Sequence, residues 1–226
     1  MFVENVAKQL KTGTTTVGLK FADGVVLGAD MRASMGNIAY DEESEKIYKI
    51  TDSMAVTNAG NVGDSLTIIR YLKSQARLYE IERNEKLSVK GATTLLSNIL
   101  NGNRYYPYIV QLIIAGMNDE PELFEIGPFG GSIVRNQYAA TGSGTDYALT
   151  TLDQNWEQGL SEEEGIRLAI KAIEAGKKRD IYTGGISVNV TVVNKNGVRM
   201  LSLDEVEKYI QQARREKAAL PSKKRV

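Results

Sequence analysis

Three consecutive threonines, Thr14 to Thr16, follow a glycine near the beginning of the chain, in the stretch KTGTTTVGLK. A β-strand explains threonine in general, because β-branched side chains suit an extended backbone, but it does not explain the glycine. The chain has no histidine and no cysteine. This excludes Ser-His-Asp and Cys-His hydrolysis, zinc sites built on those residues, iron–sulfur clusters and disulfides. A hydrolase with this composition must take its base from lysine, a carboxylate or an N-terminal amine.

A threonine hydroxyl can be activated without histidine if the threonine is itself N-terminal. Its α-amine, whose pKa is ordinarily about 8, then accepts the hydroxyl proton. This chemistry requires cleavage between Gly13 and Thr14, and a glycine at that position leaves the scissile carbonyl unhindered and permits strained turns. The same stretch is a poor match to a phosphate-binding loop, because Leu19 separates the second glycine from the lysine and the context is a hairpin.

The overall composition indicates an ordinary globular protein. Of its 226 residues, 42% are hydrophobic and 25% are charged, which is enough for one large domain with a substantial core. Lys plus Arg and Asp plus Glu both total 28, so net charge gives no argument for a nucleic-acid or membrane partner. No stretch resembles a signal peptide or is long enough to span a bilayer. We therefore expect a cytoplasmic protein that binds neither nucleic acid nor membrane.

The hydrophobic pattern alternates between strand and helix character along the chain. It predicts strands, two helices, strands, two helices, strands and one helix. Predicted hairpin turns lie at Ala22–Gly24, at Thr51–Ser53 and around Asn196–Gly197. Predicted helices begin near Asp64, Ser88 and Thr145 and after the capping boxes Ser161–Glu164 and Ser202–Glu205. The first predicted helix would bury Leu66, Ile69, Leu72, Ala76 and Tyr79, the second Ala92, Leu95 and Ile99.

This order of elements predicts an α+β fold. Strands joined by hairpins form antiparallel sheets, and the paired helices must bury their apolar faces against them. We expect a four-layer α/β/β/α sandwich of two antiparallel sheets, forming a single domain over residues 14–226 with a short C-terminal tail.

Several ordered motifs identify the chain as similar to a known family. They are GTTTVG, GVVLGADMRA, KIYKI, NAGNVGD, LLSNILN, ATGSG and KRDIYTGGI, and the similarity extends from Gly13 to about Ile210. Together they resemble the catalytic β subunit of an archaeal-type proteasome core particle, an N-terminal nucleophile hydrolase. The resemblance implies the four-layer fold and a threonine-type endopeptidase that hydrolyses unfolded proteins through an acyl-enzyme, with no metal or organic cofactor.

The resemblance also implies roles for individual residues. Thr14 corresponds to the nucleophile, Asp30 and Lys46 to the charged pair beside it, and Gly60 to the oxyanion-hole donor. The groups around the terminal amine correspond to Ser143, Asp180 and Thr183, where family members commonly have serine at the last position. The pocket for the substrate residue before the cut corresponds to Ala33, Ser44, Tyr48, Asn58 and Val62.

Each of these residues also has a simpler interpretation. Asp30 and Lys46 taken alone would be a surface ion pair, since most charged side chains are solvated. Ser143 would serve as a helix N-cap and Gly60 as a turn, and Thr15 and Thr16 would be ordinary strand residues. Only the combination with Gly13-Thr14 favours catalysis.

The resemblance further implies processing and assembly. Residues 1–13 correspond to a propeptide removed by autocleavage at Gly13-Thr14. The implied partners are other β subunits in a heptameric ring, a ring of α subunits, an ATP-dependent unfoldase acting through the α ring, and unfolded polypeptide substrates. Two alternatives remain: a non-catalytic β subunit, and the shorter bacterial two-component threonine protease. The complete Thr, Asp and Lys set argues against the first, and the leader, the KRDIYTGG segment and the C-terminal helix argue against the second.

Overall fold

A computed structural model describes residues 13–219 of the chain. Strands and helices are numbered here along that part of the chain. The strands are β1 (Thr15–Phe21), β2 (Gly24–Asp30), β3 (Ala33–Met35), β4 (Ile38–Asp41), β5 (Ile47–Thr51), β6 (Met54–Gly60), β7 (Val110–Met117), β8 (Pro121–Ile126), β9 (Ser132–Val134), β10 (Tyr138–Gly142), β11 (Val188–Asn194) and β12 (Gly197–Met200). The helices are α1 (Val62–Arg83), α2 (Val89–Gly102), α3 (Thr145–Asn155), α4 (Glu162–Arg179) and α5 (Leu203–Ala219).

Two five-stranded antiparallel sheets form the centre of the fold. The first has the strand order β10-β1-β2-β11-β12, and the second has the order β5-β6-β7-β8-β9. The predicted hairpins β1–β2, β5–β6 and β11–β12 are all confirmed, with β1 and β2 paired from Thr16–Ala29 to Phe21–Gly24. Each turn contains Asp or Asn, residues that favour tight reversals of the chain.

Three hydrophobic cores separate four layers. The middle core lies between the two sheets and is lined from both sides, for example by Leu27 of the first sheet and Ile113 of the second. An outer core packs α3, α4 and α5 on the first sheet, and another packs α1 and α2 on the second. The predicted α/β/β/α sandwich is therefore confirmed.

Helix beginnings were predicted better than helix faces. The capping boxes at Ser161 and Ser202 are present, and Ser88 caps α2. The prediction that α1 is capped by Asp64 is wrong. Asn61 is the N-cap, and the Asp64 carboxylate accepts a hydrogen bond from the backbone N–H of Ile109 instead.

The buried faces of α1 and α2 are also turned slightly from the prediction. In α1, Leu66 is only partly covered and Tyr79 is exposed, whereas Ser65 and Ile68 are buried. In α2, Leu96 and Leu100 are buried, and the predicted Leu95 and Ile99 lie beside them. A buried Ser65 was not expected because a hydroxyl enters a core only with a hydrogen-bond partner.

Candidate active site

The residues predicted to act together lie at the ends of strands that meet between the two sheets. Thr14 immediately precedes β1, and Asp30 is the last residue of the paired strand β2. Lys46 immediately precedes β5 of the second sheet, and Gly60 ends β6 beside it. An antiparallel hairpin returns its second strand to the start of its first, which is why Asp30 reaches Thr14 although they are sixteen positions apart in sequence.

Lys46 connects the nucleophile candidate to its carboxylate. Its ammonium donates hydrogen bonds to Thr14 Oγ1, to Asp30 Oδ1 at 2.7 Å and to the carbonyl oxygen of Arg32 at 2.5 Å. A lysine ammonium has three N–H groups, so every donor of Lys46 has an acceptor. Asp30 is 0% exposed and Lys46 is 5% exposed, so the pair is buried rather than the surface ion pair of the simpler interpretation.

Burial lowers the pKa of the Lys46 ammonium below its ordinary value of 10.5, and the nearby Arg32 cation lowers it further. The Asp30 carboxylate opposes this effect through its charge and its hydrogen bond, but burial has the larger influence. A lysine in this environment gives up its proton more readily than a solvated one. The group beside Thr14 therefore donates a hydrogen bond when protonated and is deprotonated at lower pH than a solvated lysine.

Asp30 is held by four donors, two on each oxygen. Oδ1 accepts from Lys46 and from the Thr15 N–H at 3.0 Å, and Oδ2 accepts from the N–H groups of Arg32 at 3.2 Å and Gly184 at 2.9 Å. Both oxygens face donors from the surrounding backbone, so the carboxylate has no freedom to turn away from Lys46.

A second polar group surrounds the nitrogen of Thr14. The Thr14 N–H donates to Ser143 Oγ at 3.1 Å, and Ser143 in turn donates to Asp180 Oδ2. Thr183 Oγ1 donates to the same carboxylate oxygen at 2.5 Å. The structure thus brings Ser143, Asp180 and Thr183 together around Thr14. Ser143 does not cap a helix, because the N-cap of α3 is Gly144, which makes no side-chain cap.

The segment Gly142–Ser143–Gly144 fits closely around Thr14 and Thr15. Gly142 has a φ of +96°, and a Cβ atom there would lie 2.2 Å from the carbonyl oxygen of Thr14. A Cβ atom on Gly144 would lie 1.9 Å from Thr15 Oγ1. Larger residues on either side of Ser143 would displace the threonines, which explains the sequence GSG physically.

The five predicted pocket residues line one cleft that opens beside Thr14. Ala33, Ser44, Tyr48, Asn58 and Val62 all contribute to it, together with Gly13, Thr14, Lys46 and Gly60. Three further residues line the cleft that the sequence analysis did not assign to it, namely Arg32, Ser34 and Glu45. Ala33 and Ser34 belong to the two-stranded sheet β3–β4, which was not predicted because its strands are short and largely exposed.

Polar groups on Asn58 and Tyr48 are already hydrogen-bonded within the cleft wall. The Asn58 side-chain oxygen accepts from Ser65 Oγ, and the Tyr48 hydroxyl donates to the carbonyl oxygen of Glu45 at 2.8 Å. Burial, followed by the Glu45 carboxylate, raises the pKa of Tyr48, and a hydrogen bond from Asn58 partly offsets the rise. Ser65 is therefore the partner that allows an asparagine to be buried here.

Two glycines at the edge of the cleft have no room for a side chain. Gly60 has a φ of +124°, and a Cβ atom there would lie 2.2 Å from the carbonyl oxygen of Ile109. Gly13 is buried, and a Cβ atom on it would lie 1.8 Å from the Cβ of Tyr182. The rest of the predicted propeptide, residues 1–12, lies outside the described residues.

Comparison with known proteins agrees with this geometry. A family model described as proteasome subunit matches residues 10–193, which is most of the chain. The chain belongs to the proteasome subunit family. It is 46% identical over 189 residues to proteasome subunit beta 1 of Pyrococcus furiosus, covering 84% of this chain and 96% of that protein. It is 44% identical over 200 residues to proteasome subunit beta of Methanocaldococcus vulcanius, covering 88% and 89%.

A third relative, proteasome subunit beta 2 of Thermococcus onnurineus, is 43% identical over 188 residues, covering 83% of this chain and 94% of that protein. The predicted resemblance to archaeal-type proteasome β subunits is therefore confirmed. Membership of this family implies a protease that assembles with other subunits into a proteasome particle. Within residues 13–219, no helix is long and apolar enough to cross a membrane. The same residues contain no cluster of three or more carboxylates arranged to hold a metal ion.

Proposed function

We propose that this β subunit is a threonine endopeptidase with Thr14 as its nucleophile. The observation that carries the proposal is the enclosed contact of Lys46 with both Thr14 Oγ1 and Asp30. A buried lysine with all three donors directed at acceptors stabilises negative charge on the threonine oxygen, which is the requirement for an activated nucleophile without histidine.

The proposed hydrolysis proceeds through an ester. Once Thr14 is N-terminal, its α-amine accepts the proton of Oγ1 while Oγ1 attacks the substrate carbonyl carbon. The C–N bond breaks, the amine passes its proton to the departing nitrogen, and an acyl ester remains on Thr14. Water then attacks the ester carbonyl carbon while the amine accepts its proton, the C–O bond to Oγ1 breaks, and the amine returns the proton to Oγ1. Lys46 stabilises the oxygen throughout, Ser143 and Asp180 orient the amine, and the Gly60 N–H is the proposed donor to the developing oxyanion.

The chain as written is the proposed precursor, with residues 1–13 as its propeptide. While Gly13 is attached, the Thr14 nitrogen is an amide and cannot act as a base. Within the described residues, the basic group at hydrogen-bond distance from Thr14 Oγ1 is Lys46, whose pKa is lowered by burial. We infer that neutral Lys46 accepts the hydroxyl proton while Oγ1 attacks the Gly13 carbonyl carbon. The Gly13–Thr14 C–N bond then breaks, Lys46 returns the proton to the departing Thr14 nitrogen, and water hydrolyses the resulting ester to release the leader.

The proposed assembly follows the family. The β subunit would form a heptameric ring stacked on a ring of α subunits, with an ATP-dependent unfoldase delivering unfolded polypeptides through the α ring. The proposed location is the cytoplasm. Cleavage of the leader upon assembly would confine the active threonine to a closed chamber.

The test is to co-assemble the chain with an α subunit and measure hydrolysis of fluorogenic peptides and intact mass. The wild-type β chain should begin at Thr14 and hydrolyse peptides. Thr14→Ala should retain its leader and show no activity, whereas Thr14→Ser should remain active. Thr94→Ala, at an exposed threonine of α2, is the matched control and should behave as wild type. An assembled wild-type particle without peptidase activity would indicate a structural subunit, and an active particle with its leader attached would show that the amine is not the base.

A further inference from the structure

The side chain of Thr15 was expected to be an ordinary strand residue, but its hydroxyl makes a specific contact. Thr15 is 0% exposed, and its Oγ1 lies 2.7 Å from Thr183 Oγ1. The hydroxyl of Thr183 in turn reaches the Asp180 carboxylate that Ser143 contacts. Thr15 is therefore linked to the polar group around the Thr14 nitrogen by side chains alone.

The direction of these hydrogen bonds follows from the number of protons. A carboxylate oxygen only accepts, so Thr183 must give its single hydroxyl proton to Asp180. Thr183 Oγ1 can then only accept from Thr15, which makes Thr15 the donor. On the other side of the carboxylate, Ser143 donates to Asp180 and accepts from the Thr14 N–H. Two chains of donors thus converge on one oxygen of Asp180, one beginning at Thr14 and one at Thr15.

Two glycines make space for the Thr15 hydroxyl. A Cβ atom on Gly144 would lie 1.9 Å from Thr15 Oγ1, and one on Gly176 would lie 2.7 Å from it. Gly176 lies inside α4, where glycine weakens a helix relative to alanine. The helix therefore has an unfavourable residue at the position where a methyl group would displace this hydroxyl.

We propose that Thr15 is a positioning residue for the reaction at Thr14. Its hydroxyl holds Thr183, and through Thr183 it fixes the Asp180 carboxylate in the orientation from which Ser143 contacts the Thr14 nitrogen. The inference rests on the proposed function, since it assigns Thr15 to the group that orients the catalytic amine. Thr15 itself touches no reacting atom through its side chain.

The decisive variant is Thr15→Val, which replaces the hydroxyl by a methyl group of similar size. In assembled and processed particles, kcat for a fluorogenic peptide should fall about tenfold, the usual worth of a buried hydrogen bond, with KM unchanged within twofold. The acidic limb of the kcat/KM profile should move to higher pH. Without the donation from Thr15, Thr183 withdraws less charge from Asp180, which then stabilises the protonated amine more strongly through Ser143.

Three further variants separate positioning from a general effect on the fold. Thr15→Ser keeps the hydroxyl and should restore kcat and the pH profile. Thr16→Val is the matched control, because Thr16 is also buried and hydrogen-bonded, to Thr141 and Thr57, but has no link to Asp180. It should leave kcat and the profile unchanged. In a double-mutant cycle, adding Thr15→Val to Thr183→Val should cause no further loss, because Thr15 acts through Thr183.

The inference would be overturned if Thr15→Val had the kcat and the pH profile of the wild type. It would also be overturned if Thr15→Ser failed to restore the lost kcat, or if Thr16→Val lost as much. These outcomes are distinct from failure of the proposed function, which the Thr14→Ala and wild-type particles decide separately. If Thr14→Ala is inactive and Thr15→Val behaves as wild type, Thr14 remains the nucleophile and Thr15 is only a strand residue.

Discussion

Replacing Asp30 by asparagine should disable the site although the two side chains have the same shape. Each oxygen of Asp30 accepts two hydrogen bonds, so the asparagine NH₂ must face two donors whichever way the amide is oriented. A buried donor left without an acceptor costs about 1–3 kcal/mol. Two such donors cost roughly 2–6 kcal/mol, and Lys46 also loses its counter-charge.

The site can relieve this penalty by moving Lys46 away from position 30, which also removes it from Thr14. If about 3 kcal/mol of the loss appears in the transition state, kcat falls by at least roughly a hundredfold, since each 1.4 kcal/mol is about tenfold. The assay is peptide hydrolysis by assembled particles of confirmed β-chain mass. Asp52→Asn is the matched control, because Asp52 forms an exposed ion pair with Lys49, and it should keep full activity. A kcat for processed Asp30→Asn within about fivefold of wild type would refute the view that Asp30 fixes Lys46.

Three other predictions concern processing and specificity. Leader release should accelerate as pH rises through the pKa of Lys46, with a midpoint below 10.5, because a lowered pKa populates the neutral, proton-accepting lysine at lower pH. Lys46→Arg should retain the leader at every pH. A wild-type rate of leader release that does not change with pH, followed by intact mass, would contradict the role of Lys46 as the base. Gly13→Val should slow release at least about tenfold, since its side chain would overlap Tyr182, and adding Tyr182→Ala should restore part of the rate. In a peptide panel, Leu and Tyr before the cut should be favoured over Arg and Glu, because the five predicted pocket residues in the cleft are uncharged. Faster cleavage after Glu or Arg would reject this order.

The fold was predictable where local chemistry decides it. Hairpin turns and capping boxes depend on neighbouring residues, so the Ser161 and Ser202 boxes could be identified without tertiary information. The N-cap of α1 could not be identified in this way, because Asp64 and Asn61 are equally suitable residue types for an N-cap. The choice depends on Ile109, which is remote in sequence and whose N–H binds the Asp64 carboxylate.

The site was predictable as a set of residues but not as an arrangement. The motifs identified which side chains belong to the site. They did not show whether Asp30 and Lys46 are exposed or buried. Arg32 lies inside the motif GVVLGADMRA, and Ser34 and Glu45 directly adjoin GVVLGADMRA and KIYKI, but nothing in the sequence shows that these side chains line the cleft. The burial of Asn58 depends on a contact that no motif reveals, because its hydrogen bond with Ser65 joins β6 to α1.

The three threonines differ in function because a strand alternates its side chains between two faces. Thr14 and Thr16 point to the second sheet, where Oγ1 of Thr14 meets Lys46 and Oγ1 of Thr16 meets Thr57 of β6. Thr15 points to the opposite face, where Gly176 of α4 and Thr183 receive it. One short run of hydroxyls therefore contacts the charged pair on one side of the sheet and the amine-orienting group on the other. A valine at position 15 or 16 would suit the strand equally well, so strand propensity alone does not account for the run. The hydroxyl at position 15 has a partner that leads back to the Thr14 nitrogen, and the hydroxyl at position 16 has partners that lead only into the core between the sheets.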